Sequence, residues 1–166
     1  MAAFKNEPEE WQRLDWMILS NSWACLYSKP DFLLIDISWF RKERYRVIEF
    51  DCSTWKDDEA MHADLKRRFR FPDTYSNNFD ALKGSLADVT VLGAGLVVVL
   101  HHFDAVEKKT AQVILDILAE NARFHLLLAE RIITLVQVDD AQAKYKAVGA
   151  TPVIWNRYEL LKPPGA

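Results

Sequence analysis

Histidine and carboxylate side chains that could support catalysis occur at the ends of three apolar segments of the sequence. They are Asp51, His101, His102, Asp104, Asp139 and Asp140. Ligands of open α/β sheets bind beyond the carboxyl ends of the strands, and histidine and carboxylate groups are competent metal ligands. A metal-dependent hydrolase site at this edge of a sheet is therefore physically possible.

A capping role explains the same residues without any reaction. Aspartate is common where strands end, because it forms turns and caps helices. His101 and His102 would point to opposite faces of a strand, so both could not readily bind one metal ion. The glycines at positions 84, 93 and 95 form no phosphate-binding loop, and no nucleophile elbow, HExxH or CxxC motif occurs. We therefore predict that the protein is not an enzyme and uses no cofactor or metal.

The most informative segment is FPDTYSNNFDALKGSLAD at residues 71–88, which we call the signature segment. Its loop is predicted to enter a short helix capped by Asn77 or Asn78, with Phe79, Leu82 and Leu86 facing inward at helical spacing. On cap statistics alone, the loop could simply fix the start of this helix. Asp80 would then be a first-turn acid that the helix dipole favours.

The signature segment resembles that of the barstar family, small intracellular proteins that inhibit secreted-type ribonucleases. The family pattern is P-[DE]-x-Y-x-x-N-[LF]-D-A-L. The matching residues are Pro72, Asp73, Tyr75, Asn78, Phe79, Asp80, Ala81 and Leu82. The family order of strand, helix, signature, strand, helix and strand can be laid over residues 45–140, which leaves extensions at 1–44 and 141–166. A longer bacterial branch of the family is the better match.

The resemblance implies a non-enzymatic protein that binds a toxin-type ribonuclease or another protein toxin, as a cytoplasmic immunity protein. A carboxylate on a rigid helix can occupy a site built for a phosphodiester anion. The expected partner-binding residues are Tyr75, Asn77, Asn78, Asp80, Lys83, Gly84 and Glu120. If this surface binds, Tyr75, Asn77, Asp80 and Lys83 should be at least partly exposed, with Phe79 and Leu82 buried beneath them.

The chain departs from the family pattern directly after D-A-L. The best-known inhibitors carry an aromatic residue and then an acid there, whereas this sequence has Lys83 and Gly84. The difference implies a partner other than barnase. A divergent barstar fold that serves as an interaction module, with a partner that is not a nuclease, stays open as the alternative.

Composition fits one globular domain over residues 1–166. Half of the residues are hydrophobic, 27% are charged and the net charge is −3, which argues against a strongly basic nucleic-acid-binding domain. The N-terminal residues lack an apolar leader, and the longest apolar run, GAGLVVVL, is too short to span a bilayer. We therefore expect a cytoplasmic protein with no membrane partner, in which Cys25 and Cys52 are reduced and buried.

Periodicity predicts the elements that position these residues. We expect an N-terminal hairpin around residues 20–22, a helix over 30–43, and buried strands in YRVIEFD, GLVVVLHHFD and ITLVQV. PVIWN, after Gly149, is expected to be an extra C-terminal strand. Strands that alternate with helices indicate an α/β barstar-like fold, with a small parallel sheet packed by helices in two or three layers. Val97, Val99, Leu135 and Val136 should be buried in adjacent parallel strands.

Overall fold

The computed structural model describes residues 2–161, which form a parallel sheet of five strands. The strands are β1 (Ala24–Tyr27), β2 (Tyr45–Asp51), β3 (Gly95–His101), β4 (Ile132–Gln137) and β5 (Ile154–Trp155). Their order is β2-β3-β4-β1-β5, and every neighbouring pair is parallel. The predicted α/β class, the three buried strands and the additional C-terminal strand are confirmed, although β3 ends at His101, three residues before the end of the predicted GLVVVLHHFD segment.

Helices cover both faces of the sheet, which makes three layers. They are α1 (Pro8–Trp11), α2 (Leu14–Leu19), α3 (Pro30–Lys42), α4 (Asp58–Phe69), α5 (Phe79–Ala87), α6 (Lys108–Leu127) and α7 (Arg157–Leu160). Side chains of α4, α5 and α6 pack with Ile48 and Phe50 of β2 on one face, and side chains of α2 and α3 pack with Val47 on the other. No helix within residues 2–161 is both long and apolar enough to cross a membrane.

The central strands are buried on both faces, as a parallel sheet between two helical layers requires. Val97, Val99, Leu135 and Val136 are 0% exposed, and β3 pairs with both β2 and β4. The burial expected for these four residues is confirmed. Cys25 and Cys52 are buried free thiols that lie in the apolar clusters on opposite faces.

The predicted N-terminal hairpin is wrong. Its first arm is helix α2, and β1 pairs in parallel with β4 and β5 instead of with the preceding segment. Leu14 and Ile18 are buried four residues apart, which is helical spacing, and the amides of Asn21 and Ser22 both donate to the Ile18 carbonyl to close the helix end. The burial period along the run is therefore that of a helix and not of a strand.

A buried carboxylate fastens the N-terminal segment to the sheet. Asp15 is 0% exposed and accepts hydrogen bonds from Arg13 Nε at 3.1 Å, Tyr45 Oη at 2.5 Å and Arg131 Nη1 at 3.2 Å. Arg131 Nε also donates to the Ala3 carbonyl, and its guanidinium lies 4.2 Å from the centre of the Phe4 ring. Ala3 and Phe4 are thereby held against the beginnings of β2 and β4.

Asp15→Ala should lower the free energy of unfolding by about 3 kcal/mol or more, because it leaves Tyr45 and two arginines without their buried acceptor. Urea titration of the full chain measures this loss. Asp31→Ala is the control, since Asp31 is an exposed acid of α3 and its loss should cost less than about 1 kcal/mol. Equal unfolding midpoints for the two variants would contradict the role of Asp15.

Candidate protein-interaction site

The loop that precedes α5 folds back onto the sheet through aromatic contacts. Helix α4 ends at Phe69, and the Phe71 amide then donates to the Lys66 carbonyl across a left-handed Arg70. The Phe69 and Phe71 rings stack with their centroids 5.2 Å apart, and Phe71 contacts Tyr75 at 5.0 Å. The loop therefore rests on a fixed apolar base.

A hydrogen bond between Tyr75 and His62 closes this base. The Tyr75 hydroxyl lies 2.6 Å from Nδ1 of His62, and both side chains are buried. Burial raises the pKa of Tyr75 to about 12 and lowers the pKa of His62. At neutral pH the hydroxyl therefore donates to a neutral imidazole. The expectation that Tyr75 is exposed is wrong, because its ring and hydroxyl face the core and support the loop from beneath.

The paired asparagines have different roles. Asn78 is the N-cap of α5, as predicted, and its Oδ1 accepts from the Ala81 amide at 2.7 Å. Its Nδ2 donates to the Ser76 carbonyl at 3.2 Å, so the cap also holds the loop. Asn77 is exposed and has a left-handed backbone with φ of 48°, a conformation that asparagine tolerates better than most residues.

Helix α5 buries one side and exposes the other. Leu82 and Leu86 are buried and Phe79 is half-buried, whereas Asp80 and Lys83 are exposed as predicted. The Asp80 carboxylate makes no hydrogen bond or ion pair within residues 2–161. Gly84 is exposed in the middle of the helix, and a Cβ added there would meet no atom within 4 Å. The exposed side of α5 therefore carries a negative charge at its N-terminal turn, at Asp80, and has no side chain at Gly84 in its middle.

Helix α6 brings Glu120 to the same surface. Lys83 Nζ lies 2.8 Å from Glu120 Oε1, and this hydrogen bond raises the pKa of Lys83. Asn121 Nδ2 donates to the Lys83 carbonyl at 3.4 Å, and His125 Nε2 donates to the Leu86 carbonyl at 3.0 Å. We call the exposed residues Asn77, Asn78, Asp80, Lys83, Gly84 and Glu120 the candidate face.

Sequence reasoning missed the side chains that hold the candidate face in place. His62 precedes Tyr75 by 13 residues, and Asn121 follows Lys83 by 38. Both contacts form only after the loop has folded back and α5 has packed on α6. The sequence contained one indication of these contacts. His62 is a polar residue on the buried side of the predicted helix α4, and such a residue needs a hydrogen-bonding partner.

The carboxylates at the strand ends act as caps and turn formers. Asp51 accepts from the Ser53 amide at 3.1 Å. Asp104 accepts from the amides of Asp139 at 2.9 Å and Asp140 at 2.8 Å, so it ties the ends of β3 and β4 together. These bonds account for Asp51 and Asp104 through the satisfaction of backbone amides.

The two histidines have separate carboxylate partners. His101 Nε2 lies 2.9 Å from Glu49, while Nδ1 of His102 lies 2.9 Å from the Asp139 carboxylate, which raises the pKa of His102. Within the part of the chain that the structure describes, no group of three or more His, Cys, Asp or Glu side chains is arranged to hold a metal ion.

A known protein family matches the same core residues that the sequence pattern indicated. The family model described as Barstar (barnase inhibitor) matches residues 45–140. No curated protein sequence matches the chain. One similar solved structure is that of Drosophila ORC bound to AT-rich DNA and Cdc6, with 16% identity and a TM-score of 0.42. The alignment covers 86% of this chain but only 52% of that one, and no conclusion about this chain follows from it.

The stability of the loop base should depend on pH through His62. Because its pKa is lowered in the fold, the stability it contributes is present above its unfolded pKa of about 6.5 and is lost as pH falls through the lower folded value. Nearby Asp58 opposes this shift without reversing it. His62→Gln should therefore lose less stability than the natural chain between about pH 7.5 and about pH 5.5.

His102→Gln is the matched control with the opposite sign. The raised pKa of His102 adds stability that is complete below about pH 6.5 and is lost as pH rises through the folded value. This variant should therefore lose more stability on acidification than the natural chain. Denaturant titrations at the two pH values measure both effects, and parallel pH dependence in all three proteins would refute the assignment.

Proposed function

This chain belongs to the barstar family, whose members are inhibitors rather than enzymes, and from that membership we propose that it binds a toxin-type ribonuclease and blocks its active site. The proposal includes a cytoplasmic immunity or antitoxin role, in which the protein protects the cell that makes the toxin. The candidate face is the surface that enters the enzyme.

The position of the Asp80 carboxylate is the observation that supports this proposal most directly. Its carboxylate is exposed and unpaired within residues 2–161, on the first turn of a helix whose cap, base and neighbouring helix are all fixed by hydrogen bonds. A ribonuclease site holds a phosphodiester anion with cationic groups, and a carboxylate can satisfy the same groups. A rigid surface also loses little conformational freedom on binding.

Lys83 and Gly84 stand where the best-known inhibitors carry an aromatic residue and an acid, and this difference favours a partner other than barnase. The Lys83–Glu120 ion pair at 2.8 Å places a cation and neutralises an acid on the candidate face. The face therefore carries less negative charge than the family pattern implies. The same observation favours the second candidate function, a protein-interaction module whose partner is not a nuclease.

We further propose that residues 1–166 form one domain around the family core at 45–140. β1 lies outside that core in sequence, yet it pairs with β4 on one side and β5 on the other. Asp15 joins the N-terminal segment to Tyr45 and Arg131 of the core. The described parts of both extensions, residues 2–44 and 141–161, therefore share the sheet and its hydrogen bonds with the core.

Asp80→Ala should weaken inhibition of the target ribonuclease by roughly 1 kcal/mol or more, if Asp80 is a binding hot spot. The full chain is titrated against a panel of purified toxin-type ribonucleases, barnase included, with RNA cleavage as the readout. Asp31→Ala is the matched control, because Asp31 is also the second residue of its helix but lies on the opposite face of the sheet. Both variants should melt at similar temperatures.

Two results would count against the proposed function. If no enzyme of the panel is inhibited, but the chain binds a protein without nuclease activity through the candidate face, the second candidate function is supported. If Asp80→Ala and Asp31→Ala inhibit equally well, the interface lies elsewhere on the molecule.

Gly84→Asp should create or strengthen binding to barnase. A Cβ at this position meets no atom within 4 Å apart from the local helix backbone, and the aspartate restores the acid that the best-known inhibitors carry at this place. We expect a gain of about tenfold or more in affinity, measured by calorimetry. Gly84→Asn has nearly the same shape without the charge and should give no such gain. Equal affinities for the Asp and Asn variants would remove the electrostatic argument.

A further inference from the structure

Strand β2 presents an open edge on the side of the sheet away from β5. It is the outermost strand, and β3 is its one neighbour in the described sheet. Within residues 2–161, Arg46 to Phe50 make no backbone hydrogen bond to any element other than β3. The strand has seven residues and no proline. An edge of this kind can accept a further strand, because its outward N–H and C=O groups are unpaired.

Arginines surround this open edge. A surface depression of about 390 Å³ runs beside residues 46–49 and is also lined by Arg67, Arg68 and Arg70 of the α4 end. Arg67 and Arg68 share one carboxylate oxygen of Asp64, at 2.8 Å and 3.0 Å, so their positive charge exceeds the negative charge beside it. Arg46 and Arg70 have no ion pair or hydrogen-bonded side-chain partner among the described residues. We call this surface the cationic edge.

The one acidic residue that lines the depression is already engaged. Glu49 accepts from Arg41 at 2.8 Å and lies 2.9 Å from His101. These contacts lower the pKa of Glu49 despite its partial burial. Its charge is thus compensated on the opposite face of the strand and does not cancel that of Arg46 and Arg70.

A second depression of about 290 Å³ adjoins the first and has an apolar wall. Arg46 and Arg70 line both depressions. The apolar wall is formed by Pro72, Val89 and Leu92, and Leu92 is 62% exposed. The other side is polar, with Ser85, the exposed acid Asp88 and Thr90, and Asp88 makes no ion pair with either arginine within residues 2–161. An apolar side chain placed here would be covered by the apolar wall, while its neighbours in sequence faced the arginines.

Arg70 has an unfavourable backbone conformation for its residue type. It is the residue after α4 and is left-handed, with φ of 59° and ψ of 45°. Glycine is the usual residue at this position, because it adopts a positive φ without a steric penalty. Arg44 and Ala129, which follow the ends of α3 and α6, are also left-handed, so this conformation ends other helices of the chain too. At Arg70 it places the side chain where the two depressions meet.

We propose that the cationic edge binds an extended acidic segment of another protein, which adds to β2 as a further strand. Main-chain groups of β2 hold the segment, its carboxylates pair with Arg46 and Arg70, and an apolar side chain fills the second depression. A second copy of this chain would bring like charge to like charge, and arginines on an edge deter such pairing. This surface shares no residue with the candidate face, although Pro72, Ser85 and Asp88 of the signature segment also line its second depression. The proposal therefore rests on different residues from those proposed to bind the ribonuclease.

A peptide fits these features better than a nucleic acid. Single-stranded nucleic acids are held by aromatic rings on which bases stack, together with cations. Phe69 and Phe71 beside the cationic edge are only 5% and 8% exposed, so their rings offer no stacking surface. The unpaired strand edge, in contrast, matches the backbone of an extended peptide.

Selection of random twelve-residue peptides displayed on phage, with the immobilised full chain as bait, tests the proposal. Enriched peptides should carry aspartate or glutamate at alternate positions.

A synthetic copy of the most enriched peptide should then lose affinity by at least about tenfold with Arg46→Glu and with Arg70→Gly, measured by fluorescence polarisation. Arg70→Gly should melt at the same or a higher temperature, because glycine relieves the left-handed backbone. Arg123→Glu, an exposed arginine of α6, is the matched control and should change nothing.

Methylation of alternate peptide amides separates strand addition from charge attraction alone. Methylating the amides that face β2 should abolish binding, and methylating the others should not. The proposal is overturned by selected peptides without an acidic bias, by affinities that neither arginine variant changes, or by binding that survives methylation in both registers. Tighter binding of a single-stranded RNA oligonucleotide that is lost in the same variants would assign the surface to nucleic acid and would also overturn it.

Discussion

The Asp15 carboxylate organises the N-terminal half of this fold. A charge that is 0% exposed is costly to bury, and Asp15 offsets that cost through Arg13, Tyr45 and Arg131. Two of these donors, Tyr45 and Arg131, belong to the family core. Polar groups of the N-terminal segment and of the core therefore satisfy each other's hydrogen-bonding requirements. Through this contact α2 is held on the sheet, where Leu14 and Ile18 complete the apolar cluster of one layer. α2 and α3 together form the second helical layer, so this attachment completes the cover of that face of the sheet.

The helical layer on the other face of the sheet, formed by α4, α5 and α6, holds the signature segment in a fixed position. Its apolar side chains point down onto the cluster around Phe50 and Phe69, and the Tyr75–His62 hydrogen bond locks the loop from within. Asn78 caps the helix, and contacts from α6 reach two of its carbonyls. Because the structure satisfies these groups internally, the polar side chains that remain exposed are free to meet a partner at low entropic cost.

Charge is distributed unevenly over a molecule whose net charge is only −3. The candidate face begins with the unpaired Asp80, whereas the cationic edge carries Arg46 and Arg70. Potentials of opposite sign on separate surfaces steer different partners, and salt screens such steering beyond a distance of about 10 Å at 0.1 M ionic strength. The Lys83–Glu120 pair neutralises one acidic charge of the candidate face, the surface that we propose binds the ribonuclease.

The amino-acid sequence by itself determined the elements that have a local signature. Continuous apolar runs predicted β3 and β4, helical spacing and a capping asparagine predicted α5, and the pattern from Pro72 to Leu82 indicated the family before any contact was known. These features could be predicted because each depends on residues only a few positions apart. The exposure of Asp80 and Lys83 was expected from the binding surface that the family resemblance implies, and both residues are exposed.

Only the tertiary structure decided the features that join distant parts of the chain. It placed β1 between β4 and β5 where a hairpin had been predicted, and it buried Tyr75 against His62 where an exposed ring had been expected. It also brought Glu120 to Lys83, and Arg46 beside Arg70. Such contacts arise when whole helices and strands pack. Their free energy depends on burial and charge across the fold, and no local pattern of residue types encodes it.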